Sequence, residues 1–273
     1  MALDLSKIKN RLNSLSNANQ KTNLIWKPNP GKQVVRIVPY KYNPENPFIE
    51  LKFHYNINNK TYLSPDSFNR PDPIVEWSNR MKKTGNKEDW QLGRKMEPKL
   101  RTYVPVLVRG EEDQGVRFWG FGKNVYQELL SIISDADYGD ITDPVNGRDI
   151  VVEFRTAEEC GKSFPETTIR PKPNTSVAID PSQKELLGKQ TNILDLFPEL
   201  SYEQLKGVMD AWLNPENGSE PTVNAVVDDD PEMEAAPSAP TPAPKAKASS
   251  PSASASKTNT EDLTKAFDNL FNS

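Results

Sequence analysis

The chain has 273 residues, among them 24 prolines, one cysteine and one histidine. No run of about 18 apolar residues occurs, so no segment reads as a membrane-spanning helix, and the lone Cys160 excludes an internal disulfide and argues against a thiolate zinc site. The formal charge of −4 hides a division: residues 1–110 carry 20 Lys/Arg against 9 Asp/Glu, and residues 111–273 carry 14 against 29, the pattern of a polyanion-binding front and an acidic rear.

The N-terminus lacks the apolar stretch of a signal peptide, which points to an intracellular protein. Residues 3–16 have the spacing of an amphipathic helix. Leu5, Ile8, Leu12 and Leu15 step by three, four and three, with Lys7, Lys9 and Arg11 on other faces. The polar run Asn13 to Asn23 follows, so residues 1–22 are expected to form a segment for a partner surface and residues 23–213 the body.

Gln33 to Val38 and Phe48 to Tyr55 read as strands joined by the turn YKYNPENP. An insert of about 56–100, with Pro65, Pro71, Pro73 and Pro98, reads as irregular except for one helix from Ile74 to about Lys83. A hairpin follows. Val104, Val106 and Val108 alternate on one arm, Glu111 to Gly115 make the turn, and Val116 to Phe121 return, setting Phe118, Trp119 and Phe121 between Arg117 and Lys123. Rings beside cations on a short strand suit stacked bases and held phosphates; a strand pair whose aromatics fill a core is the alternative this segment leaves open. The expected alternation assigns Phe118 and Phe121 to the bases and Trp119 to the opposite face.

Tyr126 to Ile133 reads as a helix, Asp135 to Asp143 as an acidic loop and Asp149 to Arg155 as a strand. Two helices close the body, Ser182 to Lys189 and Tyr202 to Leu213, the second opened by Ser201-x-x-Gln204 in capping-box form. Short strands with inserted loops give a fold class that is mainly β with peripheral helices, a small Greek-key barrel of the oligonucleotide-binding (OB) type. Residues 214–257, poor in large apolar side chains, are expected to be a disordered linker. In residues 258–273, Thr258-Asn-Thr-Glu261 offers a cap, and Leu263, Phe267, Leu270 and Phe271 share one helical face beside Asp262, as in an acidic–hydrophobic docking peptide.

Catalytic constellations are weak. Asp135, Asp137, Asp140 and Asp143 lack the glutamate-terminated order of a calcium loop, no Walker lysine follows a glycine loop, and His54 stands alone. Nucleic-acid signals are stronger, because Trp26, Tyr40, Tyr62, Phe68, Trp77, Trp90 and Tyr103 are interleaved with Arg36, Lys41, Lys52, Arg70, Arg80, Lys82, Lys83, Arg94, Lys95, Lys99 and Arg101. Exposed rings of this kind stack on bases with little regard to sequence, and the cations make binding salt-dependent.

VVRIVPYKYNPENPFIELKFHY (34–55), VRFWGFGKNVYQELLSII (116–133), DPVNGRDIVVEFR (143–155), QKELL (183–187) and SYEQLKGVM (201–209) together resemble the T-even-type phage single-stranded DNA-binding, or helix-destabilising, protein family. The resemblance covers most of residues 30–210 in order. It implies an OB-fold core without enzymatic activity, in which Arg36, Lys41, Lys95, Lys99, Arg101, Tyr103, Phe118 and Phe121 line the DNA cleft. It further implies self-association along DNA through Lys7, Lys9 and Arg11, and recruitment of replication and recombination proteins by the acidic tail. The family inserts a zinc subdomain with one histidine and three cysteines. Here His54 remains, while the cysteine positions read Ser64, Asp72 and Val75, so no zinc and no other cofactor is expected. Lys52, Tyr62, Arg80, Lys82 and Lys123 complete the candidate nucleic-acid contacts. The rival readings are an RNA-binding barrel, a metal-dependent nuclease using the 135–143 carboxylates, and a scaffold acting only through its two termini.

Overall fold

Alternating apolar residues in β2 (Gly31–Ile37) bury Val35 and Ile37 completely and give the sheet its core face. The computed structural model describes residues 24–180 and 184–214. The expected N-terminal helix with Lys7, Lys9 and Arg11, and the linker and docking peptide with Asp262, Leu263, Phe267, Leu270 and Phe271, lie outside them.

The other strands are β1 (Ile25–Trp26), β3 (Ile49–Ile57), β4 (Lys60–Leu63), β5 (Lys99–Val108), β6 (Arg117–Phe121), β7 (Arg148–Arg155) and β8 (Glu166–Thr175), joined in one eight-stranded sheet. All pairings are antiparallel except β1 with β6. β5 is the hub. Its residues 99–103 pair with β3 and its residues 106–108 with β2, while β6 runs along the opposite edge from 102 to 106. One long strand that changes partner along an edge lets the sheet turn a corner. The molecule is mainly β with peripheral helices, as expected of an OB-type core.

The helices are α1 (Pro73–Met81), α2 (Lys87–Met96), α3 (Lys123–Ser134), α4 (Ala157–Cys160), α5 (Glu185–Gly188) and α6 (Tyr202–Leu213). Val125, Leu129 and Ile132 of α3 cover the face made by Val35, Ile37, Val104, Val106, Trp119, Phe121, Ile150 and Val152. On the other face Leu51, Phe53, Leu63, Tyr103 and Phe118 pack with Ile193, Leu196 and Phe197. Period two therefore pairs Trp119 with Phe121 and sets Phe118 against both. This corrects the expected grouping of Phe118 with Phe121, which are three residues apart and so point oppositely.

The insert is more ordered than its prolines imply. β3 turns into β4 through Asn58 and Asn59, with φ of 53° and 57°, between the paired Ile57 and Lys60, a two-residue loop with both central residues left-handed. α2 was hidden by Gly93, which the fold requires: a Cβ there would lie 2.8 Å from the Ser78 carbonyl of α1. Ile57, Tyr62, Ile74 and Met96 then share a core with Leu205, Val208 and Met209 of α6. That helix carries the full capping box predicted at Ser201 and Gln204. β8 escaped the sequence because it contains Pro171 and Pro173, residues that a sheet tolerates at its edges, and β8 is an edge strand.

Candidate nucleic-acid interface

Six of the candidate contact residues are buried. Arg36 is inaccessible in β2. Its Nη1 lies 3.3 Å from Asp149 Oδ1 and donates to Ser176 Oγ at 3.0 Å, and its Nη2 donates to the carbonyl of Asp143 at 3.0 Å. Burial lowers its pKa, against the opposing pull of Asp149, so the guanidinium is a structural ion inside the sheet. Arg101 is 6% exposed and donates through Nη2 to the Gly120 carbonyl at 2.8 Å. Tyr103 packs its ring 6.1 Å from Phe53 and 5.1 Å from Phe197. Phe118 meets Tyr40 edge-on at 5.9 Å, Phe121 meets Trp119 at 4.7 Å, and Tyr62 sits in the core beneath α6. The hairpin rings are core rings, which corrects the expectation that they form an open stacking platform. Strands that are buried on both faces carry aromatics as packing residues, and the sequence pattern does not separate that from display.

The remaining candidates reach the surface. Lys41, Arg80, Lys95 and Lys123 are exposed, and Lys52, Lys82 and Lys99 are half-buried. Burial lowers the pKa of Lys99. The structure brings two of these lysines together: Lys52 from β3 and Lys82 from the end of α1 line one groove of about 210 Å³, with Asp66, Ser78, Asn79 and Glu97. It is smaller than the ~300–1,000 Å³ of ordinary small-molecule pockets, so it suits groups carried on a chain passing over it.

Aromatic–cation pairs lie on the segments that supply the groove's two carboxylates. Asp66 belongs to a 3-10 turn, Pro65–Phe68, whose Phe68 ring lies 5.1 Å beneath the Arg70 guanidinium. Glu97, at the end of α2, reaches Arg94, which lies over the ring of Trp90 at 5.2 Å. Trp90 is 45% exposed, an unusual placement for so large a ring, and the i,i+4 spacing on α2 sets it beside Arg94. Tyr42, 51% exposed with Lys41 5.7 Å from its ring, is a third such pair. Tyr42 was not singled out from the sequence, and Phe68 and Trp90 stood among the interleaved aromatics without being chosen as contacts. What would have ranked Trp90 above the other rings is its place on an exposed helix face, and that helix was not predicted.

A family model described as gp32 DNA binding protein like matches residues 29–210, about two-thirds of the chain. The chain belongs to this gp32-like DNA-binding family. No curated protein matches it. Among the described residues, no helix is long and apolar enough to cross a membrane. The acidic loop of this gp32-like chain is built from turns: Asp135 Oδ1 accepts from the Asp137 N–H at 3.0 Å, Asp140 Oδ1 from the Thr142 N–H at 2.8 Å, and Asp143 Oδ1 from those of Val145 and Asn146 at 2.7 and 2.8 Å.

The positions that the resemblance assigns to zinc do not fit the ion. His54 Nδ1 faces the Met96 carbonyl at 3.0 Å and Nε2 faces Asp72 Oδ2 at 2.9 Å. The Ser64 hydroxyl donates to the same Oδ2. Asp72 Oδ1 caps α1, accepting from the N–H groups of Ile74 at 2.9 Å and Val75 at 3.2 Å. The Val75 side chain offers no donor atom, a serine hydroxyl is a poor ligand, and a closed tetrahedral site needs four. All three polar groups are buried, at 1% or less for His54 and Ser64 and 3% for Asp72, and they satisfy one another.

Proposed function

We propose that this protein binds single-stranded DNA cooperatively and without sequence preference, and serves phage DNA replication, recombination and repair in the host cytoplasm as a coating protein, not an enzyme. Binding the single strand and not the duplex shifts melting by mass action. Family membership and the basic front of the chain support the polymer class. The groove, with the exposed Trp90 ring and Arg94 linked to it through Glu97, carries the single-strand reading, since an exposed ring beside cations takes unstacked bases and phosphates, and a duplex offers no free base face. Residues 1–22 contact a neighbouring copy, and residues 258–273 recruit replication and recombination proteins. The insert holds its shape without zinc, through His54, Ser64 and Asp72.

Tryptophan fluorescence under poly-dT titration across a salt series tests this. Trp26 and Trp119 are buried, and the half-buried Trp77 and Trp212 meet edge-on at 6.4 Å, so quenching should come chiefly from Trp90. The Trp90→Phe variant should lose most of the quench, and Trp90→Ala should weaken binding by about 1–3 kcal/mol. Affinity should fall steeply with salt. Salt-independent or absent binding overturns the proposal, and tighter binding to poly-rU than to poly-dT would transfer it to RNA.

A further inference from the structure

The groove's lysines are not bare. Lys52 Nζ lies 2.6 Å from Asp66 Oδ2, Lys82 Nζ contacts Glu97 Oε1, and Glu97 Oε2 lies 3.8 Å from Arg94 Nε. Both carboxylates line the same groove as the lysines they hold. Their side chains are 38% and 39% exposed, a setting in which an ion pair is weak and easily exchanged. A backbone phosphate presents to an ammonium the same anionic oxygens as a carboxylate does.

We propose that Asp66 and Glu97 hold, in the free protein, the places that two backbone phosphates take on Lys52 and Lys82 in the complex. Loading the strand is then an exchange of carboxylate for phosphate, and it deepens the single-strand reading on which it rests. Three consequences follow from the geometry. The lysines are kept oriented into the groove before DNA arrives. Small anions compete poorly, because each must displace a tethered carboxylate alone, whereas linked phosphates displace both at high effective concentration. Displacing Glu97 also releases Arg94 beside the Trp90 ring, coupling a phosphate contact to a stacking contact.

The test is the affinity of full-length Asp66→Asn and Glu97→Gln proteins for a poly-dT oligomer at low and high salt. Each variant should bind about two- to fivefold tighter at low salt, the range of a partly exposed ion pair, and the gain should shrink as salt rises. Glu166→Gln, which releases Lys162 from a pair of 2.8 Å remote from the groove, should change nothing. A double-mutant cycle separates exchange from general repulsion: Lys52→Met should cost more affinity in the Asp66→Asn background than in the wild type, because only there is Lys52 unmasked. Variants that bind no tighter than Glu166→Gln, or a Lys52→Met penalty equal in both backgrounds, overturn the inference while the binding reading stands. A wild-type protein that fails to bind poly-dT overturns both.

Discussion

Asp72 shows how much one carboxylate can organise. Burial pushes its pKa up, but the His54 hydrogen bond and charge, the Ser64 hydroxyl and the Val75 N–H carry it below the usual carboxylate value. Through those contacts it joins β3, the turn after β4 and the start of α1, and through His54 it reaches the last residue of α2. Asp72→Ala should lower stability by about 3–5 kcal/mol in urea unfolding, the range for removing one partner of a buried pair. The stabilisation is complete above the unfolded carboxylate pKa of about 3.9 and is lost as pH falls through the lower native value, so the gap between variant and wild type should close in acid. Incubation with a metal chelator should leave the wild-type Tm unchanged; a drop would place a metal in the insert. Arg36 makes the complementary case. A basic strand residue reads as a phosphate contact until its partner Asp149, 113 positions away, is known. Arg36→Ala should cost about 3–5 kcal/mol of stability and leave the salt dependence of DNA binding intact, whereas a shallower salt slope in a fully stable variant would return Arg36 to the interface.

At the scale of elements, local signals were legible and long-range ones were not. β2, β3, the β5–β6 hairpin, α3, β7 and α6 stand where alternation, turn residues and the Ser201 cap put them. β8 and α2 were missed because Pro171, Pro173 and Gly93 break local rules for reasons set elsewhere in the fold: a vacant sheet edge, and a close approach to α1. The burial of Phe118, Phe121 and Tyr103 was missed because it depends on what covers each face, α3 on one and the segment around Phe197 on the other. Gly120 of β6 records that packing. It pairs with Tyr103, and a Cβ there would come within 2.6 Å of the Tyr103 ring. Gly120→Ala should therefore destabilise the protein by about 1–3 kcal/mol, the cost of overpacking a filled core, as read by urea unfolding. An unchanged midpoint would mean that Tyr103 has room to swing away, and hence that this face opens more readily than its burial suggests.

At the scale of the molecule, charge is distributed against the direction of binding. Residues 214–273 hold 10 Asp/Glu and 4 Lys/Arg, so removing them takes the formal charge from −4 to +2. A net negative protein approaching a polyanion is slowed by its own field, even when its contact surface is basic, and the slowing acts over a Debye length of about 10 Å at 0.1 M salt. Truncation after Leu213 should therefore raise the association rate with a poly-dT oligomer by about tenfold or more at low ionic strength. The gain should fade towards 1 M salt, where the Debye length is about 3 Å. The same comparison separates field from contact. If the tail acts only through charge at a distance, the dissociation rate of the truncated protein should match that of the full chain while the association rate rises. If instead the tail covers the groove directly, truncation and Glu97→Gln should be less than additive, because both would unmask the same lysine. Stopped-flow quenching of Trp90 reads both rates in one experiment, and equal association rates for the two chains at low salt would remove the tail from the electrostatics of loading.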